Sequence, residues 1–474
     1  MTSKPPFQRH RIALPIFYQT EKDTMKSEHR LDYHRALPIF VLVLFDVLGL
    51  SLILPLLHLY AATYGASPIE IGLVVAAFPI AQLIGLPLMG TLSDRFGRKP
   101  LLLISQMTTC VGFIMLGSAN SLLLIIASRI FDGLFGANIS TAQAALSDIT
   151  DDKTRAQGLG LIGAAFGLGF ILGPLISIFT LALTDDIQMP AFVAAACSFL
   201  SILLTFFVFR ETLPSDQRHK HKDAKPSTAL TLVRNRNISV LLIFVFVQQL
   251  VFFGFESLLG LFTLSRLGLL GQGNALVFVV VGMTLVMVQG RFIGPWTRKY
   301  GEVKMVNLAL GLLTAGLILI ALTPNQPHPF YKREVVEEKL LSESESDVSS
   351  ITDTTAIELP DDSYRGIWGV SWLLVIIIPI SIGAGLIRPG LNSLITKRVH
   401  QREYGSVLGL SASSVSAANA IAPLIGGFLF ENYGINAPFL IGSVVIGGLL
   451  VFSFLFIKPA ALPNPIQATS EEHI

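Results

Sequence analysis

The sequence predicts an all-α membrane protein of twelve transmembrane helices, arranged as two six-helix bundles that repeat one another. Three observations carry the prediction. Of 474 residues, 52% are hydrophobic and only 14% charged, with a mean hydropathy of +0.64. Soluble domains carry roughly 25% charged residues, so most of this surface meets lipid rather than water. Twelve apolar runs each approach the roughly 20 residues that a helix needs to cross a hydrocarbon core of about 30 Å. Finally, the second half of the chain restates the glycines, prolines and cations of the first. A barrel is excluded, because its strands would alternate in segments of about ten residues.

The runs are 37–58, 70–91, 100–118, 121–145, 158–181, 190–209, 238–263, 274–290, 305–323, 370–395, 406–428 and 436–457. Turn-like or charged segments separate them, such as "ATYGASP" after the first and "TDDIQMP" after the fifth. The organisation expected is a polar tail (1–36), a first bundle (37–210), a basic linker (211–237), a second bundle (238–457) and a C-terminal tail (458–474). Residues 1–35 are polar and basic, and the first run is too long for the apolar core of a signal peptide, so no cleaved leader is expected. Most of the 34 Lys and Arg residues fall in the tails and in alternate loops. By the positive-inside rule, both termini are then cytoplasmic, and the cell membrane (plasma or inner) is the expected location.

Composition also excludes function classes. A net charge of +2 offers no footing for nucleic acid. Cys110 and Cys197 lie inside apolar runs and form no disulfide framework. There is no metal-ligand cluster, and "GLGFILG" (residues 167–173) lies within an apolar run, so it is not a phosphate loop. The chain is therefore expected to be no enzyme, to need no cofactor or metal, and to work as a monomer in the lipid bilayer.

The repeat is read from two offsets. Gly90 matches Gly290, and Arg98-Lys99 matches Arg298-Lys299, at an offset of 200; Gly160 and Pro174 match Gly409 and Pro423 at 249. The difference of 49 is assigned to the polar segment 324–367, which holds ten acids. That segment is expected to be a disordered external insert outside both bundles, adding nothing to a packed core. Parallel repeats of this kind build one large group of transporters.

Three stretches then carry a resemblance. "GTLSDRFGRKP" (90–100), "SRIFDGLFGAN" (128–138) and "GLGFILGPLIS" (167–177) are similar to motifs of the major facilitator superfamily. The chain resembles it over nearly all twelve runs, most closely the drug:proton antiporter branch of tetracycline-efflux-like proteins. Ser177-Ile178 stand where the third motif usually ends in two glycines, and Gly294-Pro295 occupy the place of Asp94 in the second half. The resemblance implies proton-coupled antiport exporting a small organic solute or drug, in exchange for protons. Proton-coupled symport or facilitated uptake of a metabolite is the alternative on the same fold. A non-transporting receptor or scaffold is a remoter one.

Candidate residues follow. Gly90 and Gly97 are expected to permit close helix approach and a tight turn. Arg95, Arg98 and Lys99 cap the cytoplasmic end of the second span. Asp94 is badly placed for its own helix, whose C-terminus carries partial negative charge. The resemblance implies a gating latch in which Asp94 pairs through Arg98 with Asp148 and faces the start of the eleventh span near Gly405. Five charges lie inside spans: Asp46, Arg129, Asp132, Glu256 and Arg388. Each costs about 2.5–3.5 kcal/mol to insert and is a functional candidate by default. Asp46 and Asp132 lie near the midplane, and Arg129 shares a helix face with Asp132, so Asp46 beside Arg129 is the expected proton-coupling pair. Asp132 is expected in the same proton-coupling set, its alternative role being to neutralise Arg129. Gln248, Gln249, Phe252, Phe253 and Glu256 suit a substrate cavity, and Arg388 is placed to snorkel. Gly169, Gly173 and Pro174 mark the antiporter helix, expected to pack tightly and to be kinked at Pro174, and the resemblance implies that it seals the interface between the halves.

Overall fold

The computed structural model describes residues 32–150, 155–213, 234–341, 359–399 and 404–457. Both tails, most of the basic linker and residues 342–358 of the insert lie outside them. The described residues form helices and no strand.

The twelve spans appear in the expected order. Span 1 is Tyr33–Ile53, followed by a short helix Leu57–Ala62; span 2 is Pro68–Phe96 and span 3 Arg98–Gly117. Span 4 comes in two pieces, Leu122–Phe135 and Asn138–Asp148. Spans 5, 6 and 7 are Arg155–Thr184, Met189–Phe207 and Arg236–Leu267. Span 8 runs from Gly271–Met287 through a π-helical turn, Val288–Phe292, into Ile293–Tyr300. Spans 9 to 12 are Glu302–Ala321, Trp368–Thr396, Tyr404–Tyr433 and Ala437–Phe456. Eleven helices among the described residues are long and apolar enough to cross a bilayer; the shorter Gly271–Met287 reaches that length through its continuation.

Several spans outrun the apolar runs at their polar ends, because a helix needs lipid neither to start nor to continue. Span 2 begins at a capping box, with Ser67 and Glu70 bonding each other's backbone N–H and Pro68 in the first turn, and it carries on through Asp94 and Arg95. It stops only at Gly97, whose φ of 106° a side chain would resist. The loop between spans 2 and 3 is thus a single residue.

The repeat is confirmed, and its register is corrected. Asp32 and Asn235, 203 apart, each cap the span that follows with a side-chain oxygen. Among the described residues φ is positive at Gly65, Gly97, Asp185, Gly268, Gly301 and Gly434. These form three pairs: Gly65/Gly268 at an offset of 203, Gly97/Gly301 at 204 and Asp185/Gly434 at 249. Spans 3 and 9 coincide end to end at 204, and spans 5 and 11 at 249. The letters match at 200, but the turn that ends the helix lies at 204, so the second half is longer by 45 residues and not 49.

The two halves meet pairwise and symmetrically: span 2 packs on span 11, and its repeat mate span 8 packs on span 5. The tight contacts lie away from the face that carries the start of span 1. Gly72 abuts the backbone of Pro423, Gly427 that of Pro68, and Gly271 the side chains of Leu56 and Leu181. The Asn274 side chain donates to the carbonyl of Pro55 (2.6 Å), and Glu431 accepts from the N–H of Ile69 (3.0 Å). Toward the terminal face, a Cβ built on Gly90, Gly160, Gly163 or Gly409 would meet nothing within 4 Å. The named contacts between the halves thus gather at the face away from the start of span 1.

The insert is also corrected. Its described ends are packed against the bundle. Tyr331 is 1% exposed, occupies the space beside Gly268, and donates its hydroxyl to the carbonyl of Pro360 (3.0 Å). Val336, in the helix Arg333–Leu341, is 3% exposed. The N–H of His328 reaches Leu267 O (3.1 Å) and that of Gly366 reaches Pro327 O (2.9 Å). Aromatic and β-branched residues among the acids supply the burial that overall composition concealed. The expectation of disorder for 342–358 falls outside the described residues.

Candidate functional site

The in-span charges of the first half gather around the break in span 4. At Gly136 the helix stops with a backbone N–H bond to Asp132 O (2.6 Å), and the N–H of Ala137 turns to the hydroxyl of Ser105 on span 3 (2.7 Å). The restart aims Asn138 inward. Its amide donates to Asp46 Oδ1 at 2.6 Å and to Thr109 Oγ1 at 3.2 Å. Thr109 in turn lies against Asp132. Arg129 faces Asp132 at 3.7 Å, with its guanidinium 5.4 Å from the Phe113 ring centroid, and both charged side chains are about 5% exposed or less. One polar chain therefore links two carboxylates and an arginine across spans 1, 3 and 4.

The expected partner of Asp46 is corrected here. Arg129 belongs to Asp132, and Asp46 has the amide of Asn138. Neither Asn138 nor Thr109 was picked out by sequence reasoning. The available signal was a glycine-alanine break followed by asparagine inside an apolar run. Arg129 Nη2, Asp132 Oδ1 and Asn138 Oδ1 are buried without a protein hydrogen bond. Each such atom costs about 1–3 kcal/mol, so the cluster is kept at the expense of stability.

A second cluster sits at the terminal face. Arg98 bonds Asp94 Oδ1 (2.6 Å), Asp148 Oδ2 (2.9 Å) and Ser93 Oγ (3.0 Å), and its side chain is 6% exposed. Glu211, beyond span 6, accepts from the N–H groups of Arg98 (2.9 Å) and Lys99 (3.1 Å), capping span 3, and Thr212 donates to Asp148 (3.0 Å). Lys99 bonds Phe206 O, and Arg95 lies over Phe96 at 5.3 Å. The expected trio is together, with Glu211, Thr212 and Ser93 as additions. Gly97 makes the turn, whereas Gly90 has open space where close approach was expected. The cluster is intact in a conformation whose named contacts between the halves lie at the opposite face. Side chains at the start of span 11, near Gly405, lie outside the described ones.

The second half holds a charge-reversed counterpart of the Arg98–Asp148 pair, although it has no acid at the place of Asp94. At the structural offsets, Glu302 is the mate of Arg98 and Lys397 the mate of Asp148. Glu302 accepts from Lys397 Nζ and from Ser393 Oγ (3.2 Å). Matching by letters had hidden it, because both residues differ from their mates in sign.

Span 5 meets both halves. Gly169 lies against Val47 and Gly173 against Ser51, both on span 1, and the Ser51 hydroxyl donates to Gly169 O (2.8 Å). Gly167 meets Val286 of span 8, and Gly282 of span 8 meets the backbone of Phe170. Span 5 thus packs across to span 8 of the other half, while Gly169 and Gly173 lie on the seam with span 1 beside Asp46. Pro174 interrupts neither end of a helix that runs unbroken from Arg155 to Thr184.

On span 7, the Gln249 amide donates to Asn419 of span 11 (2.8 Å), Phe252 packs on Phe255, and Gln248 is buried. Phe253 and Glu256 are half-buried, and Glu256 makes no hydrogen bond or ion pair among the described residues. One turn further, Gly260 abuts His58 of the first half. The line through Gln249, Phe252, Phe253 and Glu256 therefore runs toward the space between the halves, while Gln248 turns aside into the packed bundle.

This architecture has wide parallels. The family model described as Major Facilitator Superfamily matches residues 39–331 and 364–473. Multidrug resistance protein 2 of Bacillus subtilis is 26% identical over 421 residues, covering 87% of this chain and 93% of that protein. The class D tetracycline resistance protein of Salmonella ordonez is 27% identical over 440 residues, covering 90% and 98%. Among solved structures, the nucleoside transporter NupG superposes with a TM-score of 0.65 at 13% identity, covering 89% of this chain and 99% of that one. With both six-helix halves matched and only 332–363, the middle of the insert, left out, the chain belongs to the Major Facilitator Superfamily, as a multi-pass membrane transporter of small molecules and not an enzyme.

Proposed function

We propose that this chain is a proton-coupled antiporter that exports a small organic solute. The polar chain Asp46–Asn138–Thr109–Asp132–Arg129 at mid-depth carries the reading. A proton carrier needs a carboxylate that can lose and regain its charge away from bulk water, with partners that hold it in either state. Among the described residues Asp46 has a single neutral amide donor and no arginine of its own, so protonation does not strand a cation; Asp132, tied to Arg129, is the fixed charge beside it. The multidrug and tetracycline resistance proteins named above support export. The structural likeness to a nucleoside transporter keeps uptake on the same fold as the second reading.

In this reading Gln249, Phe252, Phe253 and Glu256 line the solute path. The Asp94–Arg98–Asp148 cluster steadies the first half as a cytoplasmic latch, and span 5 seals the cleft. The terminal face is cytoplasmic, the conformation described is open inward, and the protein acts as a monomer in the cell membrane. Asp46→Asn tests the proposal in vesicles of known orientation with an imposed pH gradient. Solute binding should persist, while gradient-driven flux falls to the level of vesicles without a gradient. Full gradient-driven flux in the variant removes Asp46 from the mechanism.

A further inference from the structure

Arg388 lies inside span 10, eight residues before its end at Thr396 and so about 12 Å from that end. It is exposed and makes no hydrogen bond or ion pair among the described residues. Lipid does not account for that exposure. Residues seven apart share a helix face, and on this face Ser381 and Ile395 are both buried. The outward side of the helix carries Val375, 68% exposed, well away from Arg388. On one flank of Arg388, Gly385 packs on Val288 of span 8 and, seven residues on, Asn392 accepts from the Ser411 hydroxyl of span 11 (2.9 Å). Spans 8 and 11 are the helices that meet the other half. Arg388 is therefore exposed toward the cleft, on the side away from the named contacts between the halves.

A second observation points to the same place. The π-helical turn of span 8 begins at Val288, the residue that touches Gly385, three positions from Arg388. Such turns are uncommon and concentrate at functional sites, because they widen the helix and re-aim its side chains. A guanidinium stays charged at any working pH and offers a planar fork of donors matched to carboxylate, sulfonate or phosphate.

We infer that Arg388 is the anion-recognising element of the solute site, so that the transported solutes include organic acids. This rests on the reading of the cleft as the transport path, yet binding can be measured without flux. The full-length protein in nanodiscs of zwitterionic lipid is titrated with 1-naphthoate, 1-naphthalenesulfonate and 1-naphthylmethylamine, which share one ring system and differ in charge. The wild type should bind both acids, and R388Q should weaken acid binding roughly tenfold or more, the loss of about 1.4 kcal/mol, while leaving the amine unchanged. R388K, which keeps the charge and loses the fork, should fall between them. Wild-type protein that binds no acid overturns the inference whatever the variants do. So does equal loss of acid and amine in R388Q, or unchanged acid binding. Nanodiscs containing anionic lipid separate the remaining source of the same chemistry: acid binding abolished by that lipid in the wild type assigns Arg388 to a headgroup instead. Failure of the antiport reading would look different, with acids bound normally but their flux indifferent to a pH gradient.

Discussion

Asp132 answers to two neighbours at once, being the counter-charge of Arg129 and, through Thr109, the far end of a chain that begins at Asp46. Breaking a buried ion pair from one side strands a charge and costs about 3–5 kcal/mol. Arg129→Gln should therefore lower the melting temperature of the purified protein sharply, and Arg129→Gln with Asp132→Asn should recover most of the loss. If the double variant is no more stable than the single one, Arg129 is held by something other than Asp132. The charges themselves were legible in the sequence, because each interrupts an apolar run. Their pairing was not. Proximity along one helix put Arg129 and Asp132 on a shared face, but the partner of Asp46 depended on a helix break that turns Asn138 toward span 1, and no periodicity announces such a break.

The turn between spans 2 and 3 and that between spans 8 and 9 are one structural device built twice with opposite charges. Arg98 with Asp148, and Glu302 with Lys397, each tie the start of an odd-numbered span to the end of the following even-numbered one. If the pairing of signs matters rather than the residues, Glu302→Lys should slow solute turnover, and adding Lys397→Glu should restore much of it. A swap that rescues nothing would mean that Glu302 acts through another partner, such as Ser393. The insert offers a pH test at this scale. Burial pushes the Tyr331 hydroxyl up to about 12 from its ordinary 10, with Asp362 adding in the same direction. The folded loop then prefers the neutral phenol, so its stability is complete below pH 10 and is lost as pH rises toward 12. Spectroscopic titration should find one late-ionising tyrosine that disappears in Tyr331→Phe, and Tyr331→Ala should cost about 3–5 kcal/mol. An alkaline titration identical in wild type and Tyr331→Phe would remove the buried phenol. Composition had concealed this anchor, since acids outnumber the few residues that are buried.

At the level of the whole molecule, hydropathy gave twelve spans and their order, because lipid imposes a length and a backbone economy that few sequences can disguise. It could not give the state of the cleft, which depends on how two rigid halves lean. A cysteine placed at Gly160 or Gly409 should react with a membrane-impermeant maleimide applied to the terminal face, while one at Gly427 should be shielded from both sides. Equal labelling at all three would mean that the halves are not closed at the far face. The turn Val288–Phe292 has a consequence for how those halves move. Gly65 and Gly268 stand 203 apart, whereas Gly97 and Gly301 stand 204 apart, so span 8 holds one residue more than span 2. A π turn is what a helix makes of one surplus residue. The surplus is taken up inside that turn, so beyond Phe292 the side chains of span 8 return to register with their counterparts in span 2, now at an offset of 204. The two rockers therefore differ at one place, the turn whose first residue packs on Gly385 of span 10, and excision of Gly290 should leave a plain α-helix there, as in span 2.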